Sequence, residues 1–109
     1  MWIASKYGFI SIVQHRDYPD QVLFRARIRK DLESLFPKEE IISTPEADYG
    51  FRVFVSKQEA AAIISRQVMD IDYPNFKNAI AKTLNQKDKL HAYHDIWTVM
   101  WDYSKNHEK

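Results

Sequence analysis

The sequence predicts an α+β fold: a four-stranded antiparallel sheet from two ββα units, with helices on one face and two additional C-terminal helices. Three observations predict it. Segments with alternating apolar and polar residues fill the first half of the chain, segments with helical periodicity fill the second, and a capping motif separates them. Two ββα units side by side form a permuted relative of the ferredoxin-like arrangement.

The first predicted unit occupies residues 2–36. Residues 2–14 are rich in β-branched and aromatic residues around Gly8 and predict one long or bent strand. A polar loop over residues 15–21 reverses the chain. Residues 22–29 alternate and predict a strand with its apolar face toward the helices: Val22, Phe24, Ala26 and Ile28. A short helix over residues 30–36 ends at Pro37.

The second predicted unit has strands at residues 40–43 and 51–55. Ser56 and Glu59 form a capping box, which starts a helix running to about Met69. Its predicted inward stripe is Ala60, Ile63, Ile64, Gln67 and Val68, with Ile71 just beyond. Two more helices follow. One spans about 74–84, with Pro74 at its first position and Phe76, Ile80 and Leu84 inward; the other spans 89–104 with Asp88 as its cap.

Composition excludes several classes of function. The chain has 109 residues, which predicts one domain over 1–109, and it has no cysteine, which excludes disulfides and thiolate zinc sites. Two glycines are too few for a P-loop or a Rossmann fingerprint. The absence of a long apolar run or signal-peptide pattern predicts a cytoplasmic protein with no membrane association. We expect no cofactor and no metal.

A stripe of arginines is the first candidate site. On the predicted strand, Arg25, Arg27 and Arg29 project from one face about 6–7 Å apart. Arg52 and Phe54 share that face from a second strand. Guanidinium groups beside an aromatic ring suit phosphates and stacked bases, so RNA or single-stranded nucleic acid is a possible partner. The alternative is that the arginines pair with Asp and Glu, at about 0–1 kcal/mol per surface pair. The net charge of +1 restricts nucleic-acid binding to a local patch.

The segment His91-Ala92-Tyr93-His94-Asp95 is the second candidate site. On a helix His91 and Asp95 are one turn apart, and imidazole with a carboxylate can relay a proton or bind a metal. A metal site needs at least a third ligand, and no zinc-helix or serine-nucleophile motif is present. An exposed His91–Asp95 pair and a core His94 are the alternative. The residues give no positive case for an enzyme.

The last predicted helix is the third candidate. One apolar stripe on it is Leu90, Tyr93, Trp97, Met100 and Trp101, and beside it lies a second, Ala92, Ile96, Val99 and Tyr103. This arc is broader than one side of a small sheet covers. Aromatic and Met residues are typical of interface cores, which favours a protein partner or a homodimer at Tyr93, Trp97, Met100, Trp101 and Tyr103. The alternative is that the domain itself covers both stripes.

Several segments together resemble a known family. They are Met1-Trp2, Gly8-Phe9, Arg25-Ala26-Arg27 ahead of Asp31-Leu32, Thr44-Pro45 with Ala47-Asp48-Tyr49, Asp70-Ile71-Asp72-Tyr73 with Asn75-Phe76-Lys77, and Tyr93-His94 with Trp97. In these segments the chain resembles a family of small uncharacterised single-domain bacterial proteins of unknown function. The resemblance covers nearly the whole chain and implies a small bacterial protein, with no activity, cofactor or site residue attached.

The sequence therefore leaves three hypotheses. The first is a non-enzymatic interaction domain that engages a protein partner or itself through its aromatic C-terminal helix. The second is an anionic-ligand binder, for RNA or single-stranded nucleic acid, that uses Arg25, Arg27, Arg29, Arg52 and Phe54. The third is a hydrolase that uses His91, His94 and Asp95.

Overall fold

The structure, a computed structural model, describes residues 1–107. Contacts within the chain divide it into two compact units, Met1–Asp72 and a second unit that begins at Tyr73. The expectation of one domain over residues 1–109 stays a prediction.

The first unit contains an antiparallel sheet with helices, as the α+β fold class predicts. Its strands are β1 (Trp2–Ser5), β2 (Gly8–Gln14), β3 (Gln21–Ala26), β4 (Ile42–Ser43) and β5 (Phe51–Ser56). Within residues 1–107 the sheet has five strands, in the order β1-β2-β3-β5-β4, and every neighbouring pair is antiparallel. The sequence predicted four strands, and the ferredoxin-like detail is not confirmed.

The additional strand arises because the predicted long strand over residues 2–14 is a hairpin. Ser5 pairs with Gly8, so only Lys6 and Tyr7 form the turn. Gly8 has a φ of 134°, a region that side chains with a Cβ rarely adopt. A Cβ on Gly8 would also lie 2.6 Å from Cγ of Asp31, whose Oδ2 accepts a hydrogen bond from the Phe9 backbone N–H at 3.2 Å. Gly8 is therefore required by the turn and by the helix that packs against it.

One face of the sheet packs against α1 (Lys30–Glu33) and α2 (Lys57–Met69). The buried cluster between them comprises Ile10, Ile12, Val22, Phe24, Ala26, Leu32, Phe36, Ile41, Val53, Val55 and Ala60, with Ile63 and Ile64 partly buried against it. The Ser56 cap is confirmed, because its Oγ accepts from the Glu59 N–H at 3.0 Å. Ile28, Val68 and Ile71 are exposed, although we predicted them inward. Each lies beyond the stretch of strand or helix that faces the cluster.

The second unit contains α3 (Phe76–Lys82), a 3₁₀ turn (Lys87–Lys89) and α4 (Leu90–His107). Asn75 is the cap of α3, accepting from the Asn78 N–H at 2.9 Å, so Pro74 is not the first helical residue. Leu84 was predicted inward but is exposed, because α3 ends at Lys82. Asp88 lies inside the 3₁₀ turn and does not begin α4, which starts at Leu90.

Candidate functional site

The second face of the sheet, opposite α1 and α2, carries a row of side chains that crosses all five strands. The strand registers place these residues side by side: Trp2, Ser11, Arg25, Arg52 and Ile42. We call this set the cross-strand row. Neighbouring members are about 4.8 Å apart along the row. Arg25 and Arg52 are direct cross-strand partners near its centre.

The predicted stripe of three arginines along one strand is wrong in its geometry. β3 ends at Ala26, so Arg25 alone of the three lies in the strand. Arg29 sits at the start of α1, where its carbonyl accepts from the Leu32 N–H at 3.0 Å. Arg27 lies in the bend between β3 and α1. The chain must leave the sheet here because α1 returns across its core face.

Tyr49 brings the arginines together instead. The guanidinium carbons of Arg25 and Arg27 lie 4.5 and 4.3 Å from the centre of its ring, both within the range of a cation–π contact. Nη2 of Arg52 donates to the Tyr49 carbonyl at 3.3 Å, and Nη2 of Arg25 donates to Ser11 Oγ at 2.9 Å. Tyr49 is buried. The arginines thus fasten the β4–β5 loop to the second face.

Two arginines of the predicted site have acidic partners, as the alternative interpretation expected. Arg27 forms a two-pronged contact with Asp48, through Nε and Nη2, each at 3.0 Å. This hydrogen bonding lowers the pKa of the Asp48 carboxyl and raises the pKa of Arg27. Nε of Arg29 lies 3.3 Å from Glu33, one helical turn away. Both pairs reach solvent, so each contributes little to stability.

Exposed aromatic rings surround the arginines on the second face. Phe54 follows Arg52 by two residues on β5, faces the same side and is 42% exposed. His15 lies 5.0 Å from the Phe54 ring and 4.9 Å from Tyr18. At the far end of the cross-strand row, Trp2 is 73% exposed and lies 6.3 Å from Phe9. The face therefore combines cations with unburied rings.

α4 carries the second candidate surface. Of the predicted interface residues, Tyr93 is buried in the second unit, where its ring stacks on Phe76 at 5.5 Å. The remaining predicted residues are exposed. Six large apolar side chains of α4 are 43–65% exposed, and we call them the α4 apolar surface: Ile96, Trp97, Val99, Met100, Trp101 and Tyr103.

The tryptophans of this surface are ordered by stacking along the helix. The Trp97 and Trp101 rings are nearly parallel, 6.0 Å apart, and His94 stacks on Trp97 at 5.7 Å. Lys77 lies 4.8 Å from the Trp97 ring and Lys105 4.2 Å from the Trp101 ring. The two rings thus contact neighbouring side chains of α3 and α4 and are still 51% and 44% exposed.

The histidine cluster is not assembled into a metal site. Nε2 of His91 lies 3.5 Å from Asp95, and both side chains are exposed. His94 is also exposed rather than in the core, and its Nδ1 lies 2.9 Å from Lys77 Nζ. Within residues 1–107 no group of three or more His, Cys, Asp or Glu side chains is arranged to hold a metal ion. A shallow cleft beside the cluster is lined by Lys77, Asn78, Ala81, Leu90, His91 and His94.

Sequence reasoning missed three residues that organise the second face. Tyr49 lies in a loop, where no periodic pattern points to it. Ser11 is a single polar residue among the apolar residues of β2, and Trp2 was assigned to a longer strand. The signal that would have found Ser11 and Trp2 is the pairing register of the strands, and no comparable signal points to Tyr49. The register became predictable only with the hairpin at Gly8 in place.

Comparisons with known proteins give no relative. No model of a protein family matches the chain, and neither the curated proteins nor the solved structures yield a match. Among residues 1–107, no helix is both long enough and apolar enough to span a membrane.

Proposed function

We propose that this chain is a non-enzymatic interaction module that associates with a second copy of itself through the α4 apolar surface. One observation carries the proposal. Six large apolar side chains lie within eight residues of one helix, each about half exposed. Isolated exposed apolar residues are normal on a protein surface, whereas a contiguous group of this size is typical of an interaction site.

The area of this surface is sufficient for a pair of copies. At half exposure its three aromatic rings offer about 300 Å² and the three aliphatic side chains roughly 200 Å² more. A two-fold pairing buries the same surface on both copies, which gives about 1,000 Å² in total. That total reaches the lower limit for a specific interface.

The chemistry of the surface favours a copy of the same chain over a highly charged partner. From Ile96 to Tyr103 the only charged residue of the helix is Asp102, and the cations Lys77 and Lys105 lie beside the Trp97 and Trp101 rings. Interface cores are depleted in charge and enriched in Trp, Tyr and Met, which matches this segment. A net charge of +1 also means that two copies repel each other only weakly.

The experiment measures the mass of the full chain by sedimentation equilibrium over a range of concentrations. We expect the mass to rise with concentration from 13.0 kDa to twice that value. Met100→Asp should keep the chain monomeric, because it places a charge at the centre of the apolar surface. The matched control is Leu84→Asp, which introduces the same charge at an exposed apolar residue outside α4 and should leave dimerisation unchanged.

Two results would overturn the proposal. One is a wild-type chain that stays monomeric at every concentration. The other is a Met100→Asp variant that associates as strongly as the wild type while its circular dichroism shows an intact fold. Loss of association in both variants would also count against it, because the effect would then not be specific to α4.

A further inference from the structure

We infer that the second face of the sheet binds a short stretch of single-stranded nucleic acid. In this arrangement Arg25 and Arg52 hold a phosphate and Phe54 and Trp2 stack on the flanking bases. The residues of this site belong to the first unit, and those of the α4 apolar surface belong to the second. It rests on four features of residues 1–56: charge, hydrogen bonding, exposed rings and register.

The charge of the site is unbalanced. Arg25 and Arg52 face each other on adjacent strands, where like charges are mutually destabilising. Among the described residues, Arg27 is the one arginine around Tyr49 with a carboxylate at ion-pair distance, Asp48, and the charge of Arg25 also acts on that carboxylate. Within residues 1–107 neither Arg25 nor Arg52 forms an ion pair. The cluster therefore has two more positive than negative charges, and a phosphate is the anion whose geometry guanidinium groups match.

The hydrogen bonds of the two arginines are incomplete. A guanidinium has five N–H donors. Arg25 donates one hydrogen bond to Ser11 Oγ and Arg52 donates one to the Tyr49 carbonyl, and both acceptors are neutral. The Nε atom of each is buried and has no hydrogen-bond partner. These contacts fix the direction of both side chains. Both arginines are partly exposed, and a phosphate would meet them through their Nη atoms, because the buried Nε atoms are out of its reach.

The exposed rings favour nucleic acid over a simple anion. Phe54 lies about 7 Å from Arg52 along β5, and Trp2 lies about 14 Å from Arg52 across the cross-strand row. The two rings lie in different directions from the arginine pair, Phe54 along the strand and Trp2 across the strands. A phosphate held by the arginines therefore has a ring available for each of its two flanking bases. The His15 ring lies 5.0 Å from the Phe54 ring, and the Phe9 ring lies 6.3 Å from the Trp2 ring.

A single strand fits this face and a duplex does not. Flat aromatic rings stack on unpaired bases, which a duplex does not present. With two arginines on phosphate, the logarithm of the affinity should fall with the logarithm of the salt concentration at a slope of about −1.4. Such a shallow slope also agrees with a chain whose net charge is only +1.

The test is fluorescence anisotropy of a labelled oligouridine single strand titrated with the full chain at about 50 and about 200 mM salt. We expect saturable binding, weakened roughly tenfold by Phe54→Leu and by Trp2→Ala. Both side chains are exposed, so the variants should fold. Arg52→Lys keeps the charge but removes the planar fork, and should weaken binding severalfold.

Trp97→Ala is the matched control, because it removes an exposed ring of similar kind from α4 and should leave the affinity unchanged. It also separates this inference from the proposed dimer, which Trp97→Ala should weaken. The inference is overturned if the strand does not bind at low salt, or if Phe54→Leu and Trp2→Ala bind as the wild type does. Equal affinity for a duplex of the same length, or competition by inorganic phosphate with no dependence on the rings, would overturn it as well.

Discussion

α2 and α4 are both amphipathic helices, but they differ in how much of their apolar face is covered. α2 has 13 residues and lies against strands of about the same length, so Ala60, Ile63 and Ile64 pack on the core. α4 has 18 residues and its partner α3 only seven, so α4 is about 27 Å long and α3 about 10 Å. α3 covers Tyr93, and the α4 apolar surface continues beyond it.

This difference shows that an apolar stripe in the sequence does not reveal whether it is covered. The width of an apolar stripe indicates how much surface needs to be covered. The length of the neighbouring helix decides how much of that surface the unit covers by itself. On α4 the neighbour is too short, and the excess is what we assign to a second copy.

The largest expected difference in stability is between removing a buried aromatic ring and removing an exposed one. Phe24 is fully buried and meets Phe36 edge-to-face at 5.2 Å, so Phe24→Ala should lower the free energy of unfolding by about 3–5 kcal/mol. Trp97→Ala removes a larger ring from α4 and should cost less than about 1 kcal/mol when the chain is monomeric. Urea unfolding at low protein concentration measures both. Similar losses for the two variants would show that the Trp97 ring is covered in solution.

A smaller effect is expected at the turn that the sequence did not predict. Gly8→Ala should lower the free energy of unfolding by about 1–3 kcal/mol, because Gly8 has a positive φ and a Cβ there would collide with Asp31. Gly50→Ala is the matched control. Its Cβ would meet the Thr44 carbonyl at 3.8 Å, an ordinary contact, so the change should be within about 1 kcal/mol of zero. If thermal or urea unfolding shows the same loss of stability in Gly8→Ala and Gly50→Ala, the assigned role of Gly8 is contradicted.

Much of the first unit could be predicted from local sequence. Alternation located β3 and β5, and the Ser56 capping box located the start of α2, because these signals depend on neighbours along the chain. The hairpin at Gly8 could not be predicted in this way. Lys6-Tyr7 is not a typical two-residue turn sequence, and one of the two requirements for glycine at position 8 is a side chain 23 residues away, Asp31.

The candidate sites divide in the same way, into features set by neighbours along the chain and features set by distant residues. The residues of the α4 apolar surface were predictable because helical periodicity is local, whereas their exposure depends on the length of α3. The arginines were recognised as a group, but the predicted stripe along one strand was wrong. The contacts with Tyr49 and the cross-strand row depend on strand pairing, which brings together residues that are far apart in the chain.

The smallest expected effect on stability concerns the Arg27–Asp48 ion pair. Like the rings of the α4 apolar surface, this pair is exposed to solvent. The contact lowers the pKa of the Asp48 carboxyl, so the folded state binds its proton more weakly than the unfolded state does. The stability contributed by the pair is therefore fully present above the unfolded pKa of about 3.9 and is lost as the pH falls through the lower folded value. Solvent screening keeps this contribution small. A carboxyl NMR titration should show the pKa of Asp48 rising toward its ordinary value in Arg27→Gln. An unchanged Asp48 titration would mean that the two-pronged contact does not persist in solution.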